Sequence, residues 1–272
     1  MVPAITGYTL GASLEPPHPN CSTSDPVFVA ESRGEKLAVK VLSLGFPLRD
    51  QSRLRYLEVG RSLQNVQSPA VIPVVDVGFC EDGRPYYAMQ YVEGEAIEAR
   101  KTSASAAETR AVLADAAAGL AAAKQVGIAP SVTARHMMVT RHGTRLWNLG
   151  IEAWRSWARE LVAGTYTASG QYMRHPSLTP GEAKGERTTD ANASAQLALI
   201  AFSLMTGRPY WDADLEPSGH PMAMLMEAMA NAGPPPSGRT QVALPAGFDA
   251  WFARCLANEV TDPGDAARAF PA

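Results

Sequence analysis

The chain has 272 residues, 46% hydrophobic and 19% charged, and 24 basic residues against 27 acidic ones leave a net charge of −3. That composition excludes a largely disordered chain and lacks the basic excess of a general nucleic-acid binder. Cys21, Cys80 and Cys255 lie far apart with no CxxC or Cys/His spacing, which predicts a reducing compartment and no structural zinc.

No basic residue precedes Arg33, so the N-terminus does not read as a signal peptide. The longest apolar stretch, residues 193–205, is too short to span a bilayer. A soluble, cytoplasmic protein without membrane insertion is expected.

In chain order, residues 27–30 and 37–42 are short β-rich runs, and Ser32-Arg33-Gly34-Glu35 between them has hairpin-turn chemistry. The spacing of Leu54, Leu57 and Leu63 predicts a helix over 50–64. Residues 71–78 form another β-branched run. A turn at 81–84 leads into a further strand over 85–92.

From about Ser105 the pattern becomes helical. Residues 106–125 are an alanine-rich helix ended by Gly127, and two short strands flank a turn at Arg141-His142-Gly143. Residues 193–205 read as a buried helix closed by Gly207, and 233–238 as a loop. The last clear helix, 246–257, places Phe248, Trp251, Phe252 and Cys255 on one face. A β-rich first part therefore joins a helical second part near Glu93-Gly94-Glu95.

Several stretches in this order carry a resemblance. Leu37-Ala38-Val39-Lys40-Val41-Leu42 is similar to a VAIK strand with its ATP-contacting lysine. Residues 68–78 (SPAVIPVVDVG) resemble HPNIVPVYDVG, and 83–94 (GRPYYAMQYVEG) resemble GRPYLVMEYVEG. Residues 204–211 (LMTGRPYW) resemble LLTGRPPF, and 244–256 resemble the helix that opens the end of the same pattern.

Together these identify a resemblance to the bacterial Ser/Thr protein kinases over residues 7–270. The resemblance implies a bilobal α+β fold in one domain. A small antiparallel N-lobe with one helix would span about 7–92, a hinge 93–96, and a mainly helical C-lobe 97–270. It makes Met89 the gatekeeper and places Gln90 and Val92 beside a nucleotide.

The family's chemistry needs a glycine-rich loop, a lysine held by a helix glutamate, a catalytic carboxylate, and an Asp and Asn that hold magnesium. Residues 14–26 contain no glycine but four prolines, and proline removes the amide that would cradle a phosphate. Lys40 is retained. Glu58, the one acid on its helix after Asp50, is its expected partner. The pair reads either as a phosphate ligand or as a structural tie between helix and sheet.

Residues 129–140 stand where the family has HRDLKPENVLVT. The match puts Ser131 at the catalytic Asp, Thr133 at the Lys and His136 at the metal-binding Asn; a one-residue shift puts Val132 and Met137 at the first and last. Asn148-Leu149-Gly150 stands for DFG, and Asn148 brings an amide oxygen without charge. No aspartate lies between Asp115 and Asp190, the interval that should hold both catalytic ones. Its acids are Glu152, Glu160, Glu182 and Glu186.

The framework residues depart too. Thr179-Pro180-Gly181 stands for APE, Ala193 for the Asp that anchors the catalytic loop, and Pro263 for the arginine partner of the missing glutamate. The five histidines show no metal-ligand spacing. Trp154 and Trp157 would share a face if helical, either packing onto the C-lobe or anchoring a partner.

The expectation is a pseudokinase that works as a regulatory or scaffold protein by binding another protein. It would need no cofactor, and any ATP would bind without productive Mg²⁺. The alternative is a divergent ATP-binding protein, either a nucleotide-gated scaffold or an enzyme with non-standard catalytic residues.

Overall fold

The computed structural model describes residues 3–14, 25–100, 102–163, 179–180, 190–215 and 233–271. The N-lobe is built on one five-stranded antiparallel sheet. Its strands are β1 (Thr9–Ser13), β2 (Val27–Ser32), β3 (Glu35–Val41), β4 (Val74–Phe79) and β5 (Pro85–Gln90), in the order β1-β2-β3-β5-β4. The β2–β3 hairpin forms as the sequence predicts. Ser32 pairs with Glu35, and Arg33 and Gly34 both take positive φ (52° and 79°), as a tight two-residue turn requires.

The single N-lobe helix, α1 (Asp50–Gln64), has the predicted bounds but a different inward face. Ser52, Tyr56, Gly60 and Leu63 are buried, whereas Leu54 is 65% exposed. Small residues lie inward because β4 comes close. A Cβ added at Gly60 would stand 2.4 Å from Val77 Cγ2 and 2.7 Å from Val77 Cγ1. Gly60→Ala is therefore expected to lower stability by about 1–3 kcal/mol despite alanine's better helix propensity, because the core is overpacked at that point. Urea denaturation against wild type measures it.

β5 ends at Gln90, and a second, three-stranded sheet begins at β6 (Glu95–Ala96), which pairs with β7 (Met137–Thr140) and through it with β8 (Gly143–Leu146). The predicted run 71–78 divides. Its second half is β4, while Val71 makes a bridge to Leu146 and so ties the lobes.

Among the described residues, the second lobe's helices of more than one turn are α2 (Ala106–Gln125), α3 (Ile151–Ala163), α4 (Asp190–Thr206), α5 (Phe248–Leu256) and α6 (Pro263–Arg268). α4 is buried along nearly its whole length, as its apolar sequence predicts. α5 turns Phe248, Trp251, Phe252 and Cys255 inward, as expected from their spacing. Burial pushes the Cys255 thiol up to about 12, which makes it a packing group rather than a nucleophile. Pro263, in the place of an arginine, takes the first turn of α6, where the missing N–H costs nothing. No described helix is long and apolar enough to cross a membrane.

Candidate functional site: the cleft between the lobes

Lys40 sits on β3, opposite Val27 of β2, and is 2% exposed. That register carries the residues just before β2 past the lysine. Asp25, 5% exposed, accepts a hydrogen bond from the Ser43 amide (2.7 Å) and lies 3.7 Å from Lys40 Nζ. The same carboxylate receives the guanidinium of Arg155 from α3. Arg155 also faces Glu152, one turn earlier, at 3.7 Å. Two cations and two carboxylates thus meet in one network, with Lys40 and Asp25 buried and Arg155 and Glu152 half-buried. The Trp147 ring covers Lys40, with Nζ 4.7 Å from its centroid.

Glu58 is not part of this network. Its side chain is 55% exposed and bonds Arg55 on the same helix at 2.9 Å. The reason is helical phase. At about 100° per residue, Glu58 lies roughly 200° around α1 from the buried Tyr56. The expected Lys40–Glu58 pair is therefore corrected: Asp25, 15 positions before the lysine in the chain, holds Lys40 instead.

Asn148 occupies the turn into α3 with φ 62°, a left-handed conformation that asparagine tolerates. Its amide oxygen accepts from the Tyr87 hydroxyl (2.7 Å), and its NH₂ donates to Glu152 Oε1 (3.1 Å) and His136 Nε2 (3.1 Å). His136 Nε2 is then an acceptor, and Nδ1 carries the proton toward Thr133 Oγ1 at 3.0 Å. Tyr87 lies on β5 and is fully buried; burial drives its phenol well above the ordinary value, so it remains a donor.

The predicted positions Thr133, His136 and Asn148 do come together, but as a closed hydrogen-bond chain. These three side chains themselves offer no charged oxygen to Mg²⁺, which asks for charged or freely presented oxygens; the carboxylate beside them is Glu152, bonded to Asn148. The one amide oxygen at the site faces a phenol, and the imidazole nitrogens face an amide and a hydroxyl.

Ser131 and Val132 reveal an anchor that the motif comparison missed. Gln196, 1% exposed on α4, accepts from the Val132 amide at 2.7 Å, and its NH₂ lies 3.5 Å from Ser131 Oγ. It stands one turn beyond Ala193, where the resemblance looked for the anchoring Asp. The signal was present: an amide in an apolar helix must find partners when buried.

Met89 is buried in β5 between Ala38 and Val74, while Gln90 is exposed and Val92 half-buried. Trp154 is buried against α1. Its indole donates to the Ser52 carbonyl (3.0 Å) and meets the Tyr56 ring at 4.8 Å. Trp157 is half-buried. Thr179 is buried and its hydroxyl accepts from Asn192 at 3.3 Å. The glycine-free stretch 15–24, Gly181, Glu182 and Glu186 lie outside the described residues.

No family model matches the chain. It is 27% identical over 214 residues to the serine/threonine-protein kinase PknB of Mycolicibacterium smegmatis, an alignment that covers 75% of this chain and 32% of that protein. The chain thus spans about a third of that relative's length. Among solved structures it is similar to the PknI kinase domain of Mycobacterium tuberculosis, with TM-score 0.67 and 21% identity over 99% of this chain and 98% of that one. A double mutant of the same domain superposes with TM-score 0.70 at 20% identity, over 99% and 97% of the two chains. The strand order, the single N-lobe helix and these likenesses agree: the chain has the bacterial Ser/Thr protein kinase-like fold.

Proposed function

We propose that this chain is a pseudokinase: it transfers no phosphate and acts as a regulatory or scaffold protein by binding another protein. The observation that carries the reading is the occupation of Lys40. In an active kinase this lysine pairs with nucleotide phosphates. Here its charge is met by the buried Asp25, in a network with Arg155 and Glu152. Ser131, His136 and Asn148 hold the positions from which carboxylate and metal chemistry would come. General-base positioning alone is worth about 10²–10⁴-fold, and the magnesium ligands would come on top of that.

The reading takes the partner to be a protein, with no nucleic acid and no membrane insertion, and the location to be cytoplasmic. Cys80 and Cys255, both free and buried, suit a reducing compartment.

Incubation with ATP, Mg²⁺ and a generic kinase substrate is expected to give no phosphate transfer. Robust transfer that disappears in Lys40→Ala would overturn the reading. A thermal-shift titration decides the role of nucleotide: no shift at millimolar ATP is expected. A shift that does not require metal would favour the nucleotide-gated scaffold, for which Lys40, Met89, Gln90 and Val92 supply the cleft.

A further inference from the structure

Lys40 is 2% exposed, so no dissolved anion touches its ammonium unless a covering group moves. Two groups bear on it differently. Asp25 lies 3.7 Å from Nζ, longer than a hydrogen bond, while the same carboxylate also receives the Arg155 guanidinium and the Ser43 amide. Asp25 therefore keeps two partners if Lys40 turns to another anion. The Trp147 ring, with its centroid 4.7 Å from Nζ, has no such alternative. A phosphate oxygen needs to come within about 3 Å of the nitrogen, and the indole stands in that approach.

The way Trp147 is held is unusual for a buried indole. It follows β8, and its backbone amide donates to the His136 carbonyl at 3.0 Å. Its ring meets the His136 imidazole edge-on, with centroids 5.1 Å apart, and the residue is 8% exposed. The indole N–H is nevertheless enclosed without an acceptor among the described residues. A buried donor without a partner works against its own burial. The closed position thus rests on packing and on the cation–π contact, and the ring leaves without breaking a hydrogen bond of its own.

We propose that Trp147 is a gate on Lys40: closed, it blinds the cleft to nucleotide; swung aside or removed, it lets a triphosphate reach the ammonium without a metal. The proposal deepens the pseudokinase reading and rests on it. It assigns the loss of phosphate binding to one side chain, separately from the loss of the catalytic carboxylates. A scaffold gated in this way keeps one shape whatever the nucleotide concentration.

The test removes the ring. Wild type, Trp147→Ala and Trp147→Ala/Lys40→Met are melted in EDTA, with millimolar ATP or millimolar inorganic tripolyphosphate. Wild type should not shift. The melting temperature of Trp147→Ala should rise by about 2 °C or more, and the added Lys40→Met should abolish the rise. A rise with ATP alone makes the gated ligand a nucleotide, and an equal rise with both makes it any polyphosphate; each supports the gate. A cooperatively folded Trp147→Ala that does not shift overturns it. So does a rise that survives Lys40→Met, or a wild type that shifts as far as the variant.

Should Trp147→Ala fail to fold, acetylation of wild type decides. Lysine modification is followed by mass spectrometry, with exposed Lys36 as the internal standard. A ring that swings on its own uncovers Lys40 far more often than the chain unfolds, so Lys40 labelling should be independent of urea well below the unfolding transition. Labelling that climbs with urea in step with global unfolding overturns the gate. The two readings fail separately. Phosphate transfer by Trp147→Ala, given Mg²⁺ and a substrate, sinks the pseudokinase reading and leaves the gate, whereas a folded variant that ignores both ligands sinks the gate and leaves the pseudokinase.

Discussion

Asp25→Ala should lower stability by about 3–5 kcal/mol, because it removes the carboxylate that the buried Lys40 and Arg155 share. For a chain of this size that corresponds to a melting temperature lower by roughly 6–20 °C. Lys40→Met should cost much less. In that variant Asp25 keeps Arg155 and the Ser43 amide, so no buried charge is orphaned. The order is informative. If Lys40 were held open for a phosphate, its removal and that of Asp25 would both be nearly neutral in the absence of nucleotide. Thermal melts of the two variants at one pH and one salt concentration settle it. Equal, small losses would mean that the network contributes little to the fold.

Trp154→Ala carries the second large effect. Removing a buried indole costs about 3–5 kcal/mol where the surroundings cannot collapse, and the Ser52 carbonyl loses its donor as well. The site has a ceiling, however. The loss cannot exceed the free energy with which α3 docks, because beyond that point the helix leaves as a unit. Comparing the global melt with hydrogen exchange in α1 therefore measures the docking energy. A variant that melts like wild type, with α1 amides still protected, would show that the indole is not what holds the helix.

Much of the architecture was legible in the sequence, and the reasons are local. The α1 and α2 bounds follow from apolar spacing and from end signals such as Ser105, which accepts the Glu108 amide at the start of α2. The β2–β3 turn follows from two residues able to take positive φ. The inward face of α1 was not legible. Its leucines suggested one stripe, while the face is set by Val77 approaching Gly60 and by Trp154 approaching Ser52, both contacts with distant segments.

The same limit explains Asp25. An acid in a proline-rich stretch gives no sign that Arg155, 130 positions later, will meet it. Gln196 was legible in principle, since an amide buried among apolar residues asks for a partner. The resemblance points to Ala193, one turn earlier, whose methyl group can anchor nothing. The absence of aspartate from 116 to 189 survives unchanged, and the structure adds what stands at the site instead: the Asn148 amide, bonded to the Tyr87 phenol, the His136 imidazole and the Glu152 carboxylate.

The ties between the lobes have a consequence for how the molecule comes apart. Tyr87 with Asn148, Trp154 with Ser52, Arg155 with Asp25 and the Val71–Leu146 bridge all cross from one lobe to the other. Two lobes joined only by a hinge would melt as two heat-absorption events, each with its own midpoint. Lobes cross-bonded in this way share their unfolding enthalpy, so calorimetry should record a single peak whose van't Hoff and calorimetric enthalpies agree.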